Sequence, residues 1–208
     1  MVRVVSFYMQ NINPDVVKWQ KAVVNMYYPE LEFDQILTDK PHGRSMDDYL
    51  ANRQEQFIVL LDIDAIPLNG AAIWKLLDMT NNGQTIAGAP QRANHISNGA
   101  HIYVAPSIMA VSPELYRQIG SPSASETDRG DVAEEWTYAL EDVRIKPCYL
   151  DVLSHDPSTQ WQLDEETTFG LNTYYGLREE PLFFHSFQGR SPSQQNAFIK
   201  TCQGVLSE

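Results

Sequence analysis

The stretch of sequence that decides the fold reads Phe57-Ile58-Val59-Leu60-Leu61-Asp62-Ile63-Asp64. Five consecutive apolar residues are typical of a strand that is covered on both faces in a parallel sheet. Such strands deliver the residues at their carboxyl ends to the crevice where α/β proteins bind ligands. Because side chains alternate along a strand, Asp62 and Asp64 are expected to point the same way if the extended conformation persists. Two adjacent carboxylates repel each other unless a cation lies between them, so the pair predicts a Mg²⁺ or Mn²⁺ site that also holds substrate phosphates. The alternative is a strand whose polar end marks its exit into a loop.

Patterns before this stretch give the order β-α-β-α-β. Residues 2–7 and 33–37 have the composition of strands, and apolar residues at helical spacing follow Asn13-Pro14, with Asn13 as the expected N-cap. Ser45, with Asp48 three residues later, predicts the start of a second helix that runs to about Arg53. This alternation predicts an α/β fold with a parallel, doubly wound half-sheet.

The chain after Asp64 contains further turn, helix and strand signals. The most legible helix follows Ser112-Pro113, which supplies an N-cap and a first-position proline, and ends at Gly120. After residue 157 the pattern weakens, and Phe183-Phe184-His185 is the last strand-like segment. The remaining predictions are a turn at 67–70, an apolar helical stripe at 72–77, strands at 85–89, 101–111 and 149–153, and a helix at 131–141.

Composition limits the function classes. The chain has 208 residues, 43% of them hydrophobic, and a formal net charge of −12. A charge of this sign argues against nucleic-acid binding, which needs a basic surface. No apolar run approaches the ~20 residues that span a bilayer, and the first residues lack the apolar stretch of a signal peptide. Together with two widely separated cysteines, Cys148 and Cys202, these features predict a cytoplasmic protein without a transmembrane segment.

Three segments, in this order, resemble the GT-A glycosyltransferases, which use nucleotide sugars. Residues 51–64 resemble the helix that leads into the DxD strand of the family, and residues 98–120, which begin Asn98-Gly99-Ala100, resemble its acceptor-side strand and helix. Residues 130–150, where Gly130-Asp131 opens a helix, resemble the xED helix and the strand after it. The resemblance implies one GT-A domain over residues 1–208, with a mostly parallel central sheet flanked by helices and a small second sheet. Residues 1–110 would form the nucleotide-sugar-binding half and residues 111–208 the acceptor and catalytic half.

The resemblance also implies a reaction and a metal site. The reaction is metal-dependent transfer of a sugar from a nucleoside-diphosphate sugar, with UDP as the expected nucleotide, to an unidentified acceptor for which a carbohydrate is one option. Asp64 would bind the metal directly, Asp62 would contact the metal, its water or the ribose, and His185 would add a further ligand. Mixed histidine and carboxylate ligation favours Mn²⁺, with Mg²⁺ as the alternative. A histidine after two phenylalanines is otherwise a partly buried, hydrogen-bonded residue.

A general base is required if the reaction inverts the anomeric centre, because the acceptor hydroxyl must lose its proton. Asp131 matches the last residue of the xED pattern, whereas Gly130 stands where the family has an acidic residue. The alternative for Asp131 is an ordinary helix N-cap. Glu134, one turn further on, is a second candidate, and the alternative is that Glu134 and Glu135 form a solvated helix face.

The family resemblance implies nucleotide contacts near the ends of the first strands. Tyr8 and Asn11 follow the first strand, and Asp39 follows the second, where base and ribose are held in this fold. Arg53 would neutralise the diphosphate. Each of these side chains could instead cap or stabilise a loop.

Two other functions remain open at this stage. In a haloacid-dehalogenase-like phosphatase, Asp62 would be the nucleophile and Asp64 the general acid, but that motif normally follows the first strand rather than the third. A catalytically inactive nucleotide- or carbohydrate-binding module would account for the missing acidic residue at Gly130.

Overall fold

A computed structural model describes residues 1–95 and 100–207 of the chain. The strands are β1 (Val2–Tyr8), β2 (Glu32–Leu37), β3 (Phe57–Leu61), β4 (Ala65–Pro67), β5 (Ala87–Gln91), β6 (Tyr103–Val111), β7 (Cys148–Tyr149), β8 (Asp151–Ser154), β9 (Trp161–Gln162), β10 (Thr168–Phe169), β11 (Thr173–Leu177) and β12 (Glu180–His185). The helices are α1 (Pro14–Tyr27), α2 (His42–Leu50), α3 (Ala72–Met79), α4 (Pro113–Gln118), α5 (Glu134–Asp142) and α6 (Pro192–Val205).

The central sheet has six strands in the order β2-β1-β3-β6-β5-β7. Parallel pairs join β1 to β2, β1 to β3 and β5 to β7, whereas β6 runs antiparallel to both of its neighbours. Five of the six strands therefore point the same way. A smaller antiparallel sheet has the order β4-β12-β11-β8. This architecture is the predicted α/β fold with a mostly parallel central sheet and a small second sheet.

Alternating side chains of the central strands enter two different cores. In β3, Val59 and Leu61 face a core formed with α3 and the second sheet, whereas Ile58 and Leu60 face a core formed with α2, α4 and α5. All five residues of β3 are buried, which explains the continuous apolar run. A third core joins α1, α6 and the second sheet.

Helix starts show where local sequence signals succeeded. The Asn13 side chain accepts a hydrogen bond from the Asp15 amide, and the Ser112 side chain accepts one from the Leu115 amide, as expected for N-caps. The prediction for Ser45 was wrong, since α2 begins at His42 and the Ser45 hydroxyl donates to the Pro41 carbonyl at 3.3 Å. Pro41 takes the N-cap position with ψ of 145°, so Ser45 lies inside the helix, where its hydroxyl bonds back to the carbonyl four residues earlier.

Several other boundaries differ from the sequence predictions. The strand predicted at 149–153 is divided between β7 in the central sheet and β8 in the second sheet, and the helix predicted to run to about Arg53 ends at Leu50. Pro67 belongs to β4, which pairs with β12, so the turn begins after it. The strand predicted at 85–89 lies at Ala87–Gln91. The helix predicted from Asp131 begins at Glu134, because Ala133 adopts a left-handed conformation with φ of 64° and interrupts it.

Most elements after residue 157 were not predicted. Strand β11 is the centre of the second sheet, and α6 packs its Phe198 and Cys202 against the core that also contains α1. Strand β12 contains the predicted Phe183-Phe184-His185 segment. These elements matter because β12 carries a histidine to the carboxyl end of β3.

Candidate metal and nucleotide site

The two aspartates after β3 are held by a tight turn rather than by continued strand. The Ala65 amide donates to the Asp62 carbonyl at 2.9 Å, and the Asp62 amide donates to the Ser107 carbonyl of β6 at 2.9 Å. The buried Gln20 amide of α1 donates to the carbonyls of Asp62 and Ala65, which fixes both ends of the turn. The condition that the extended conformation persists through Asp64 is therefore not met, although both carboxylates lie at one site.

The sheet register brings His185 to these carboxylates. In the antiparallel pair of β4 and β12, His185 lies opposite Ala65, directly after the turn. Its Nε2 atom is 3.5 Å from Asp62 Oδ2 and 3.3 Å from Asp64 Oδ1. One ligand atom from each of the three residues lies within 4.8 Å of the others.

The burial of this Asp62–Asp64–His185 cluster makes its charge balance important. Asp64 is 5% exposed and His185 3% exposed, whereas the Asp62 side chain is 28% exposed and faces the cavity. Although burial opposes protonation, the pKa of His185 is raised because the carboxylates of Asp64 and Asp62 stabilise its imidazolium. Among the described residues, Asp64 Oδ2 is buried without a hydrogen-bond partner. A divalent cation would compensate both the repulsion and this unsatisfied oxygen, so the donor set fits Mn²⁺ or Mg²⁺.

A cavity of about 720 Å³ opens beside the cluster. This volume lies within the range of sites that bind nucleotide-sized molecules. Its walls come from the ends of β1, β2 and β5, the start of α2, and the loop between β12 and α6. The lining residues are Phe7, Tyr8, Met9, Ile12, Thr38, Lys40, His42, Asp62, Ile63, Asp64, Gln91, His185, Phe187, Gln188, Gly189, Arg190 and Ser191.

Besides His185, three basic side chains line this cavity. His42, at the start of α2, places Nε2 3.8 Å from Asp62 Oδ1. The Lys40 ammonium is paired with Asp48 at 2.6 Å. Arg190 is exposed and its guanidinium donates to the sulfur of Met9 at 3.4 Å, with no ion pair to a carboxylate among the described residues. The cavity therefore combines an acidic metal site with basic side chains that could contact phosphate.

The predicted nucleotide contacts are divided by the structure. Tyr8 lines the cavity at the end of β1. Asn11 and Asp39 are exposed in the loops after β1 and β2 and are not among the lining residues, although Thr38 and Lys40 on either side of Asp39 are.

Arg53 lies before the amino end of β3, at the opposite edge of the sheet from the aspartates. Its guanidinium stacks on the Tyr49 ring at 3.8 Å and lies 3.4 Å from Glu55 Oε1 and 3.8 Å from Asp34 Oδ2. Arg3 pairs with the same two carboxylates. The structure thus gives Arg53 a place in a cluster of ion pairs and does not bring it to the cavity.

The candidate bases Asp131 and Glu134 differ in accessibility. Asp131 is partly buried and precedes α5, whereas Glu134 is fully buried and its carboxylate lies 2.6 Å from His101 Nδ1. Glu135 is partly buried and paired with Arg129. The reading of Glu134 and Glu135 as a solvated face was therefore wrong. Asn98 and Gly99, part of the family resemblance, lie outside the described residues.

Sequence reasoning missed His42 and the loop from Phe187 to Arg190. Phe187 and Gln188 both have positive φ, 58° and 51°, and the Phe187 ring packs on the His185 imidazole with centroids 3.8 Å apart. The readable signal was the Gly189-Arg190 pair shortly after the predicted ligand His185. His42 gave no such signal, because only the packing of α2 beside β3 brings it to Asp62.

Comparisons with known proteins support the fold. No family model matches the chain, and no curated protein matches its sequence. Among solved structures, the mannosyltransferase PcManGT from Pyrobaculum calidifontis superposes with a TM-score of 0.52 at 9% identity, over 71% of this chain and 54% of that one. S. aureus TarS gives 0.42 at 8% identity over 99% and 65%, and the bifunctional IspDF from Campylobacter jejuni gives 0.46 at 9% over 72% and 49%. This chain thus spans about half the length of the mannosyltransferase, and the likeness to that one structure supports a glycosyltransferase-like α/β fold.

None of the helices in the described ranges is both long enough and apolar enough to cross a bilayer.

Proposed function

We propose that this protein is a metal-dependent glycosyltransferase that takes a sugar from a nucleoside-diphosphate sugar. The observation that carries the proposal is the convergence of Asp62, Asp64 and His185 at the carboxyl end of β3, within 4.8 Å of one another and at the wall of a 720 Å³ cavity. In open α/β sheets this edge is where ligands bind. The Asp62 carboxylate, which is 28% exposed, would face the bound nucleotide, while Asp64 and His185 would bind the metal on the buried side.

The bound metal would stabilise, as a Lewis acid, the negative charge that develops on the departing diphosphate. His42, Lys40 and Arg190 surround the same space and could contact phosphate oxygens. Arg190 is the strongest candidate, since the Lys40 charge is already paired with Asp48. Together with a bound metal, the charges of Lys40 and Arg190 would allow a chain of net charge −12 to bind a polyphosphate.

Asp131 would act as general base in an inverting reaction. The acceptor hydroxyl oxygen would form a bond to the anomeric carbon while the bond from that carbon to the diphosphate oxygen breaks. The bonding electron pair would leave with the diphosphate, and the hydroxyl proton would pass to the Asp131 carboxylate. Partial burial leaves Asp131 accessible for this role, whereas Glu134 is fully buried.

Donor choice is the finer part of the proposal. UDP is the nucleotide expected from the family resemblance. The PcManGT structure is a complex with GDP-mannose and Mn²⁺, which is a reason to test a guanine donor beside the uracil ones. Tyr8, at the cavity wall, is the candidate to stack on the base.

Isothermal calorimetry with UDP and GDP, with and without Mn²⁺, tests the metal and nucleotide site. Wild type should bind at least one of the two nucleotides only with Mn²⁺, and Asp64→Ala should lose that binding. Asp78→Ala removes an exposed carboxylate on α3, away from the cavity, and should bind as wild type does.

Activity assays then separate the candidate reactions. Wild type with Mn²⁺ should release the nucleoside diphosphate from a nucleotide sugar. Hydrolysis of p-nitrophenyl phosphate without nucleotide-sugar turnover would favour the phosphatase with Asp62 as nucleophile. Mn²⁺-dependent nucleotide binding without turnover of any substrate would favour the inactive binding module.

A further inference from the structure

The Asp131 carboxylate is held by two hydrogen bonds. The Tyr103 hydroxyl donates to Asp131 Oδ2 at 3.2 Å, and the Val132 amide donates to Asp131 Oδ1 at 2.7 Å. Tyr103 is 1% exposed, so its phenol has little freedom to turn away. The carboxylate is thus oriented from both sides although its residue is only partly buried.

Glu134 holds the backbone of the same residue. Its Oε2 atom accepts a hydrogen bond from the Asp131 amide at 2.8 Å, and its Oε1 atom lies 2.6 Å from His101 Nδ1. With 0% exposure, this carboxylate cannot meet an acceptor molecule without rearrangement. Both of its oxygens are used inside the protein.

The position of Glu134 also accounts for Gly130. A Cβ atom built on Gly130 would lie 3.2 Å from Glu134 Cβ and 3.5 Å from its carboxylate carbon. The Glu134 side chain therefore fills the space beside residue 130. The acidic group that the sequence lacks at 130 is present next to it, supplied from the first turn of α5.

His101 is itself fixed on several sides. The His101 ring stacks on the Tyr138 ring, with centroids 3.9 Å apart and planes at 9°. The Arg129 guanidinium in turn lies over the Tyr138 ring, 4.2 Å from its centroid. The His101 Nε2 atom lies 3.4 Å from Glu141 Oε2. These contacts hold the imidazole against Glu134.

The side chains of this network do not line the cavity, but Tyr103 lies beside one of its walls. Tyr103 begins β6 and pairs with Gln91, a residue of the cavity wall. Burial raises the pKa of the Tyr103 phenol well above its usual value, and the charges of Asp131, Glu134 and Asp62 add to that effect. The Tyr103 phenol therefore lies within the electrostatic reach of both Asp62 and Asp131 and remains a hydrogen-bond donor.

We infer that Tyr103, Glu134 and His101 are positioning residues that fix Asp131 for proton abstraction from the acceptor, and that Glu134 is not itself the base. This inference rests on the proposed function. Tyr103 sets the direction of the carboxylate, and Glu134, held by His101, sets the backbone from which that carboxylate projects. A correctly oriented base lowers the barrier of the chemical step and has little effect on donor binding.

A double-mutant cycle tests the inference. The reaction is release of the nucleoside diphosphate from UDP-glucose, UDP-galactose, UDP-N-acetylglucosamine or GDP-mannose with Mn²⁺ and with water as acceptor. Tyr103→Phe should lower kcat about tenfold with the donor KM within about twofold, since one hydrogen bond to a charged group is lost. Asp131→Asn should lower kcat by roughly 100-fold or more. In the Asp131→Asn background, Tyr103→Phe should change kcat by less than about twofold.

The controls separate positioning from general damage to the fold. Tyr149→Phe removes a hydroxyl that donates to the Ile102 carbonyl at 2.8 Å, close to the same strand but without a bond to Asp131, and should leave kcat unchanged. Glu134→Gln should likewise lower kcat in the wild-type background and have little further effect in the Asp131→Asn background. If it fails to fold, Tyr103→Phe, which keeps the buried ring, still decides the matter.

The possible results are distinct. Equal losses from Tyr103→Phe in both backgrounds, or no loss in either, would overturn the positioning role. Turnover that needs Asp64 and Mn²⁺ but is indifferent to Asp131→Asn would overturn this inference and the role of Asp131 as base, and would leave the metal-dependent glycosyltransferase function standing. A wild-type protein that neither binds these nucleotides with Mn²⁺ nor releases them would overturn both.

Discussion

Gly189 lies directly against the carboxylate of Asp64. A Cβ atom built on Gly189 would approach Asp64 Oδ2 to 2.8 Å and the carboxylate carbon to 3.0 Å. Asp64 is 5% exposed, so its carboxylate has little room to move aside. The loop after β12 and the residue after β3 are therefore packed together at the candidate metal site, and the absence of a side chain at 189 is part of that packing.

Gly189→Ala should weaken the metal site because its methyl group would displace the Asp64 carboxylate. We expect at least a tenfold loss of Mn²⁺ affinity, measured by calorimetry, and a loss of stability of about 1–3 kcal/mol, as overpacking typically causes. Gly70→Ala is the matched control, since its nearest neighbour would be Tyr27 Cδ1 at 3.9 Å. Mn²⁺ affinity equal in Gly189→Ala and wild type would show that this contact does not set the ligand geometry.

The two histidines near Asp62 should differ in their effect on metal binding. His185 reaches both carboxylates at 3.3–3.5 Å, whereas His42 reaches only Asp62, at 3.8 Å. Substitution of a residue that hydrogen-bonds to a metal ligand typically reduces metal affinity by about 10–100-fold. Removal of a ligand itself should have at least that effect. His185→Ala should therefore lower Mn²⁺ affinity by roughly 100-fold, and His42→Ala by less than about tenfold.

The electron paramagnetic resonance signal of free Mn²⁺ gives the concentration of unbound ion, from which the Mn²⁺ affinity of each variant is obtained. His95→Ala, at an exposed histidine outside the cavity, is the control and should bind as wild type does. A larger loss for His42→Ala than for His185→Ala would reverse the assignment of the histidine ligand.

Local sequence patterns were sufficient for the first half of the fold. Five buried apolar residues predicted β3, and N-cap residues followed by proline predicted α1 and α4. The same signal was present at Ser191-Pro192, where α6 begins, and was missed because the apolar pattern after residue 157 is weak. Strand β11 was missed because it is short and interrupted by Gly176 at a β-bulge.

The rest of the site depends on contacts between distant parts of the chain. Glu134 in the sequence Glu134-Glu135 is typical of a solvated helix start, and its burial involves a partner distant in the sequence, His101, 33 residues away. His42 reaches Asp62 only after α2 packs beside β3. Arg53 lies just before β3 in the sequence, and Asp62 lies just after it. The length of β3 therefore separates the two residues in space, and Arg53 lies at the end of the strand away from the cavity.

Stability at acid pH should depend on Glu55. Although burial favours its neutral form, hydrogen bonds from backbone amides and from Arg3 lower the pKa of Glu55 below its ordinary value of 4.5. A lowered folded-state pKa contributes stability that is present above the unfolded pKa and is lost as the pH falls through the folded pKa. Wild type should thus lose stability below about pH 4.5, and Glu55→Gln should be less stable at pH 7 with a weaker loss on acidification.

Urea unfolding at pH 7, 5, 4 and 3 measures this difference. Glu114→Gln, on the exposed first turn of α4, controls for the loss of one negative charge. An unchanged gap between Glu55→Gln and wild type over the whole range would mean that Glu55 titrates alike in the folded and unfolded chains.

Arg190 should recognise the second phosphate of the nucleotide. Its guanidinium lines the cavity, touches only the Met9 sulfur among the described hydrogen-bond partners, and has no carboxylate to compete with a phosphate. A hydrogen bond to a charged group contributes about 1.5–3 kcal/mol, so Arg190→Ala should weaken UDP binding in Mn²⁺ by roughly 10–100-fold. The same change should weaken UMP binding much less, because UMP lacks the phosphate that the guanidinium would contact. Arg178→Ala, at an exposed arginine in the turn after β11, should alter neither affinity. Equal losses for UDP and UMP would instead place Arg190 near the base, the ribose or the first phosphate, and the diphosphate would then depend on His42 and Lys40.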